Sequence, residues 1–141
     1  MNKKILSIIF SLFLVGVFSI SCSNSDKTGS STIDSSKGIE QFNGNSYVSE
    51  NSFNYQSSQV YLWLTVKDGK VGIINGNDQT SEPTYQGYMN VEGSGTDYTF
   101  DSGDGYVSGT LKFTDTSVTV RFTKNIAADT IVGQDIVCNK K

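Results

Sequence analysis

The sequence predicts an all-β domain, a small antiparallel meander barrel of about eight strands or, as the alternative, a two-layer β-sandwich. Three observations predict it. Thr, Val, Tyr and Ser dominate the chain, and helix-favouring runs of Ala, Leu, Glu and Lys are scarce. Short β-rich runs recur every ~8–12 residues between turn signals. Asp68-Gly69 stands between two of those runs, and Asp-Gly in that setting is among the strongest short hairpin signals. The 141 residues leave room for one domain of ordinary size once a leader is set aside.

From the N-terminus, residues 1–4 are a short basic stretch with Lys3 and Lys4, and residues 5–20 follow without a charge. That run suits the core of a signal peptide better than a membrane span. Ser19-Ile20-Ser21-Cys22 comes next, then Ser23-Asn24-Ser25. A cysteine closing the apolar run, followed at once by a polar serine-rich stretch, resembles a bacterial lipoprotein signal. Ser19 stands where that family favours Leu, and Ser21 before the cysteine is normal for it. The resemblance implies removal of residues 1–21, a diacylglycerol thioether on Cys22, an acylated (palmitate-type) new N-terminus, and a place in the bacterial cell envelope. Its membrane partner is then reached through the lipid anchor. Ordinary secretion is the competing reading, because Ser19-x-Ser21 also fits a small-x-small cleavage site.

Residues 22–37 are rich in Ser, Thr and Asp and read as a flexible tether, which puts the all-β domain at 38–141. The expected strands are 46–50, with a possible extension to Tyr55, then 60–67, 70–75, 85–91, 98–101, 106–114, 117–124 and 130–138. A two-residue loop at Asp68-Gly69 sets Val66 against Val71 and Leu64 against Ile73. A turn at Asp115-Thr116 sets Phe113 against Val118, Leu111 against Val120 and Gly109 against Phe122. Gly109 is then a place for a strand to bend or for an aromatic ring to cross the backbone.

Composition excludes several functions. The chain has no histidine, so the commonest general base, the commonest zinc ligand and every Ser-His or Cys-His nucleophile are missing. Losing Lys3 and Lys4 from the 11 basic residues leaves nine against 14 acidic, a net charge of −5. Arg121 is the one arginine, so nothing here is built to hold nucleic acid. Asp97, Asp101 and Asp104 cluster around glycines, but their spacing is that of hairpin turns rather than of a calcium loop. The expected protein is not an enzyme and carries no cofactor and no metal.

Two binding readings remain. Phe42-Asn43-Gly44-Asn45-Ser46-Tyr47 is similar to the Gly-x-Trp first-strand opening of the lipocalin-like (calycin) barrels, with Tyr47 one place beyond the expected aromatic. That likeness implies an interior site for a small apolar ligand. The interior candidates are Leu62, Leu64, Tyr85 and Met89, together with the aromatic rings of Tyr98, Phe100, Phe113 and Phe122. The Trp and the long terminal helix of that family are missing from the chain. The alternative is a protein-interaction lipoprotein (an adhesin, an inhibitor or an envelope-complex subunit) with a filled core. It would use an outward patch of Tyr61, Trp63 and Ile74, the three apolar side chains opposite the inward Leu62 and Leu64. A loop laid over that face would instead make Trp63 core. Cys138 reads as a small buried hydrophobe, or as a partner for Cys22 if Cys22 stays unmodified.

Overall fold

The computed structural model describes residues 32–141, which belong to one compact unit, Ser31–Lys141. The leader and Cys22 lie outside the described residues. All-β holds: nine antiparallel strands form one sheet. They are β1 (Ser46–Ser49), β2 (Phe53–Tyr55), β3 (Ser58–Lys67), β4 (Lys70–Gly76), β5 (Val91–Ser94), β6 (Asp97–Asp101), β7 (Val107–Phe113), β8 (Ser117–Asn125) and β9 (Asp135–Lys140). Two 3-10 turns, Ile39–Phe42 and Asp129–Ile131, precede β1 and β9.

The β3–β4 hairpin has the expected register, with Val66 opposite Val71, Leu64 opposite Ile73 and Trp63 opposite Ile74. Asp68 and Gly69 both take positive φ, 52° and 71°, as a tight turn with the twist of its strands requires. The β7–β8 pair also has the expected register, and it shifts between Ser108 and Gly109. A ring does cross Gly109, and it comes from Phe100. A Cβ at Gly109 would lie 2.8 Å from the Phe100 ring and would collide with the Arg121 carbonyl oxygen. β2 was expected only as a possible extension of the first strand. The chain turns there through Gln56 and Ser57, at φ 46° and 70°. Neither is a glycine or an asparagine, so the turn carries no sequence signal.

The expected barrel does not close, and the sheet does not split into a sandwich. The strands run in the order β2, β3, β1, β9, β8, β7, β6, β5, with β4 paired to β3. Nor is this a simple meander, because the C-terminal β9 lies between β1 and β8. The missing ladder is the one between β4 and β5. A single bridge spans it: the Val71 N–H donates to Met89 O at 3.0 Å and the Met89 N–H to Val71 O at 2.7 Å. The expected strand at 85–91 shrinks to that bridge and β5, because residues 77–88 leave the sheet and cross its outer face.

The inner face forms one core, shared by β1, β3, β4, β6, β7, β8 and β9 and capped by both 3-10 turns. Strands from both ends of the sheet reach the same cluster, so the sheet curls around it. Phe113 stands at the centre. Phe42 stacks on it at 4.1 Å between ring centroids, and Tyr47 and Tyr98 meet its ring edge-on at 5.7 and 5.8 Å. Phe100 and Phe122 form a second edge-on pair at 5.8 Å. Such pairs add to the area term that dominates folding.

The chain joins the unit ahead of the boundary expected at residue 38. The Thr32 N–H donates to Asp115 Oδ1 at 3.2 Å, and the Gly95 N–H donates to Lys37 O at 2.8 Å. The Gln41 amide nitrogen lies 3.4 Å from the Lys37 carbonyl oxygen, 3.1 Å from that of Gly95 and 3.3 Å from the Tyr98 hydroxyl. One side chain thus ties the entering segment to the β5–β6 turn.

Cys138 is fully buried in this core, and burial pushes its thiol up to about 12. The thiol keeps its proton in the folded protein above the pH, ~8.5, at which an unfolded cysteine loses it. The folded state therefore binds more protons through that window, and stability falls as pH rises from ~8.5 to about 12. Buried Tyr47 and Tyr98 are raised too and act in the same direction at higher pH. Thermal melts followed across that range should show a falling melting temperature, and Cys138→Ala should flatten the part of the slope nearest pH ~9.

Candidate functional site

Among the described residues the interior is filled by side chains. Of the expected interior residues, Leu62, Leu64, Tyr98, Phe100, Phe113 and Phe122 are buried against one another in the core, and Met89 packs at its margin. Tyr85 is not interior: its ring lies on the outer face, 2.7 Å from where a Cβ of Gly72 would stand. The depressions described are open ones at the surface, and none is lined by Leu62, Leu64, Met89, Phe113 or Phe122.

The expected patch of Tyr61, Trp63 and Ile74 does point away from the core, but it is not an open surface. Trp63 is 1 % exposed, and Tyr61 and Ile74 are half-buried. The cover is a strap, residues 77–88. The Trp63 Nε1–H donates to the Asp78 carbonyl at 2.9 Å. Gln79 Nε2 donates to Ser49 O at 2.7 Å, and the Ser46 hydroxyl donates to Glu82 Oε1 at 2.6 Å. Pro83 and the Trp63 indole both press on Gly76, where a Cβ would meet them at 3.2 and 2.6 Å. Asp78 holds the strap's own turn. The Ser81 N–H and the Thr80 hydroxyl and N–H all bond its carboxylate and hold it below the usual carboxylate range.

Tyr85 and Tyr88 together complete the cover over Gly72. The Tyr85 hydroxyl is buried and has no hydrogen-bond partner among the described residues. Burial, then the negative charge of Glu82, raises its pKa strongly. The outer face of β3 and β4 is therefore a second, smaller core with one unsatisfied phenol at its rim.

Open features lie elsewhere. One is a depression of about 620 Å³ where the chain enters, lined by Asp34, Lys37, Glu40, Phe42, Tyr47 and Lys140 among others. It is polar and carries both charge signs. Another lies at the other end of β7 and β8. Tyr106 and Ile126 are each 58 % exposed, the most exposed large apolar side chains of the described unit. The Ile126 N–H donates to the Tyr106 carbonyl at 3.1 Å, so the two residues are neighbours in space. β7 is seven residues long, which puts this pair roughly 20 Å from the turn at Asp115 that holds Thr32.

Sequence reading missed this pair. The sequence makes Tyr106 the first residue of an expected strand, where an aromatic is ordinary. Ile126 is the available signal: it follows the polar run Thr123-Lys124-Asn125, outside the apolar alternation of the strand before it.

The expected turn chemistry of the acidic loop is present. Asp101 Oδ1 accepts the Gly103 N–H at 2.7 Å, and Asp104 accepts the Ser102 hydroxyl and the Tyr106 N–H. Among the described residues, no group of three or more metal-ligating side chains comes together. No protein-family model matches the chain, and no curated protein or solved structure matches it.

The chain has one tryptophan, so its fluorescence reports the strap alone. Native emission should be blue-shifted and resistant to acrylamide. Gly76→Ala puts a methyl 2.6 Å from the Trp63 ring and should shift the emission to the red and raise quenching. Trp63→Ala should cost ~3–5 kcal/mol in denaturant unfolding, as for a packed core aromatic. An effect below ~1 kcal/mol would mean that the strap does not seal the face.

Proposed function

We propose that this chain is a lipid-anchored, extracytoplasmic interaction lipoprotein that captures a protein partner through the end of its sheet marked by Tyr106 and Ile126. The single observation behind this reading is the filled interior. Phe113, ringed by Phe42, Tyr47 and Tyr98, occupies the space that a lipocalin-like ligand would need. Recognition is therefore a matter for the surface.

Exposure favours the Tyr106–Ile126 end, because these are the most exposed large apolar side chains among the described residues. An aromatic and an aliphatic side chain exposed together suit the centre of a protein interface, where such residues carry most of the binding energy. The acidic balance of the mature chain fits a partner of neutral or basic surface better than an anionic membrane.

Photocrosslinking from position 106 in whole cells tests the docking end. A discrete adduct that disappears in an Ile126→Asp variant is the expected result. Ile126→Asp lies at an exposed position and should leave stability within about 0.5 kcal/mol. An unchanged adduct, or none, would sink the reading. The anchor is tested separately by detergent phase partition. The whole chain should enter the detergent phase and Cys22→Ser the aqueous phase; equal partition of both would remove the lipid from the proposal.

A further inference from the structure

We propose that the outer edge of β4 pairs antiparallel with the same edge of a second copy of this chain. The argument begins with backbone direction. The Val66 N–H donates to Asn45 O at 3.1 Å, the Val66 carbonyl accepts the Gly44 N–H at 2.8 Å, and the Leu62 N–H donates to Ser49 Oγ at 3.0 Å. These β3 residues therefore direct their backbone groups away from β4. Their partners across the ladder are Val71 for Val66, Ile73 for Leu64 and Asn75 for Leu62. In an antiparallel pair, residues opposite one another that do not bond each other both face outward. Val71 confirms this, since its outward N–H and C=O bond Met89. Ile73 and Asn75 face the same way, and no backbone or side-chain group among the described residues bonds their outward N–H and C=O.

The strap does not fill this edge. Pro83 and Tyr85 lie over Gly76 and Gly72, on the outer face of the sheet, rather than beside Ile73 and Asn75. Nor is the edge protected by composition. Residues 71–76, Val-Gly-Ile-Ile-Asn-Gly, carry no charge and no proline. Soluble proteins usually blunt a free edge with charge, proline or a bulge. The sheet's other end shows that device: β5 carries Glu92, and Gly93 breaks its regularity at φ 136°.

A second copy is the occupant this edge fits. Turned about a two-fold axis through Ile74, the edge is its own complement: Ile73 meets Asn75 of the other copy, Asn75 meets Ile73, and all four outward groups on each side are satisfied. A closed, isologous pair follows rather than a fibre, because both copies use the same short edge and pairing consumes it. The contact is small, so the dimer is weak, with half-association between ~10 µM and ~1 mM.

The experiment uses residues Ser31–Lys141, which form a compact unit with its own core. Sedimentation velocity across ~10 µM to ~1 mM should show a reversible monomer–dimer equilibrium. Ile73→Pro removes an outward N–H and no β3–β4 hydrogen bond, so it should keep the fold and raise the dissociation constant at least ~10-fold. Amide exchange of the wild type decides the matter even if that variant misfolds. The Ile73 and Asn75 amides should exchange fast in dilute solution and become protected as concentration rises. A monomer at ~1 mM, or a dimer that survives in folded Ile73→Pro, overturns the proposal. So does protection of both amides in dilute solution, which would mean that the chain's own strap, or another segment, already occupies the edge.

Discussion

The pairing of β9 with both β1 and β8 is the constraint on which the rest of the molecule depends. The first four strands and the next four are each held by local hairpins, and neither set has a complete core alone. β9 joins them: Val48 pairs with Asn139 on one side, and Val118 pairs with Cys138 on the other. With that seam in place, Tyr47 of β1 and Phe113 of β7 meet across the interior. β1 and β9 lie far apart in the sequence, so their pairing carries a larger loop-closure entropy than the local hairpins do.

Once the interior is filled with rings, function is confined to the outside. The outer face then divides by what lies on it. Over β3 and β4 the strap makes a second small core and hides Trp63. The polar stretch across β6, β7 and β8 is open to water, as one face of an antiparallel sheet commonly is. Among the exposed apolar groups of the described residues, Tyr106 and Ile126 stand out at one end of β7 and β8, ahead of Tyr88, Val132 and Val137, and the rim of β4 is uncharged. Both are places where a neighbouring protein can be met without disturbing the core.

Several features were legible in the residues and several were not. The Asp68-Gly69 hairpin and the β7–β8 register follow from period-two alternation and from a turn whose residues accept positive φ. The Gln56–Ser57 turn was not legible, because neither residue favours the left-handed region that the two-residue turn between β2 and β3 requires. The patch of Tyr61, Trp63 and Ile74 was half legible. Alternation puts all three on the outer face, but whether that face is wet depends on a segment far along the chain. Residues 85–91 alternate like a strand, yet Tyr85 sits over Gly72, and pairing is left to Met89 in one bridge and to Val91 at the start of β5.

By itself the sequence determined the all-β class, the local hairpins and the inward and outward face of each strand, because these depend on residues a few positions apart. Tertiary structure decided that β9 lies between β1 and β8, that the sheet stays open between β4 and β5, that Trp63 is covered and that Phe113 leaves no cavity. Each of those outcomes is a contact between residues distant in sequence, and periodicity carries no information about which distant face a strand or loop will meet.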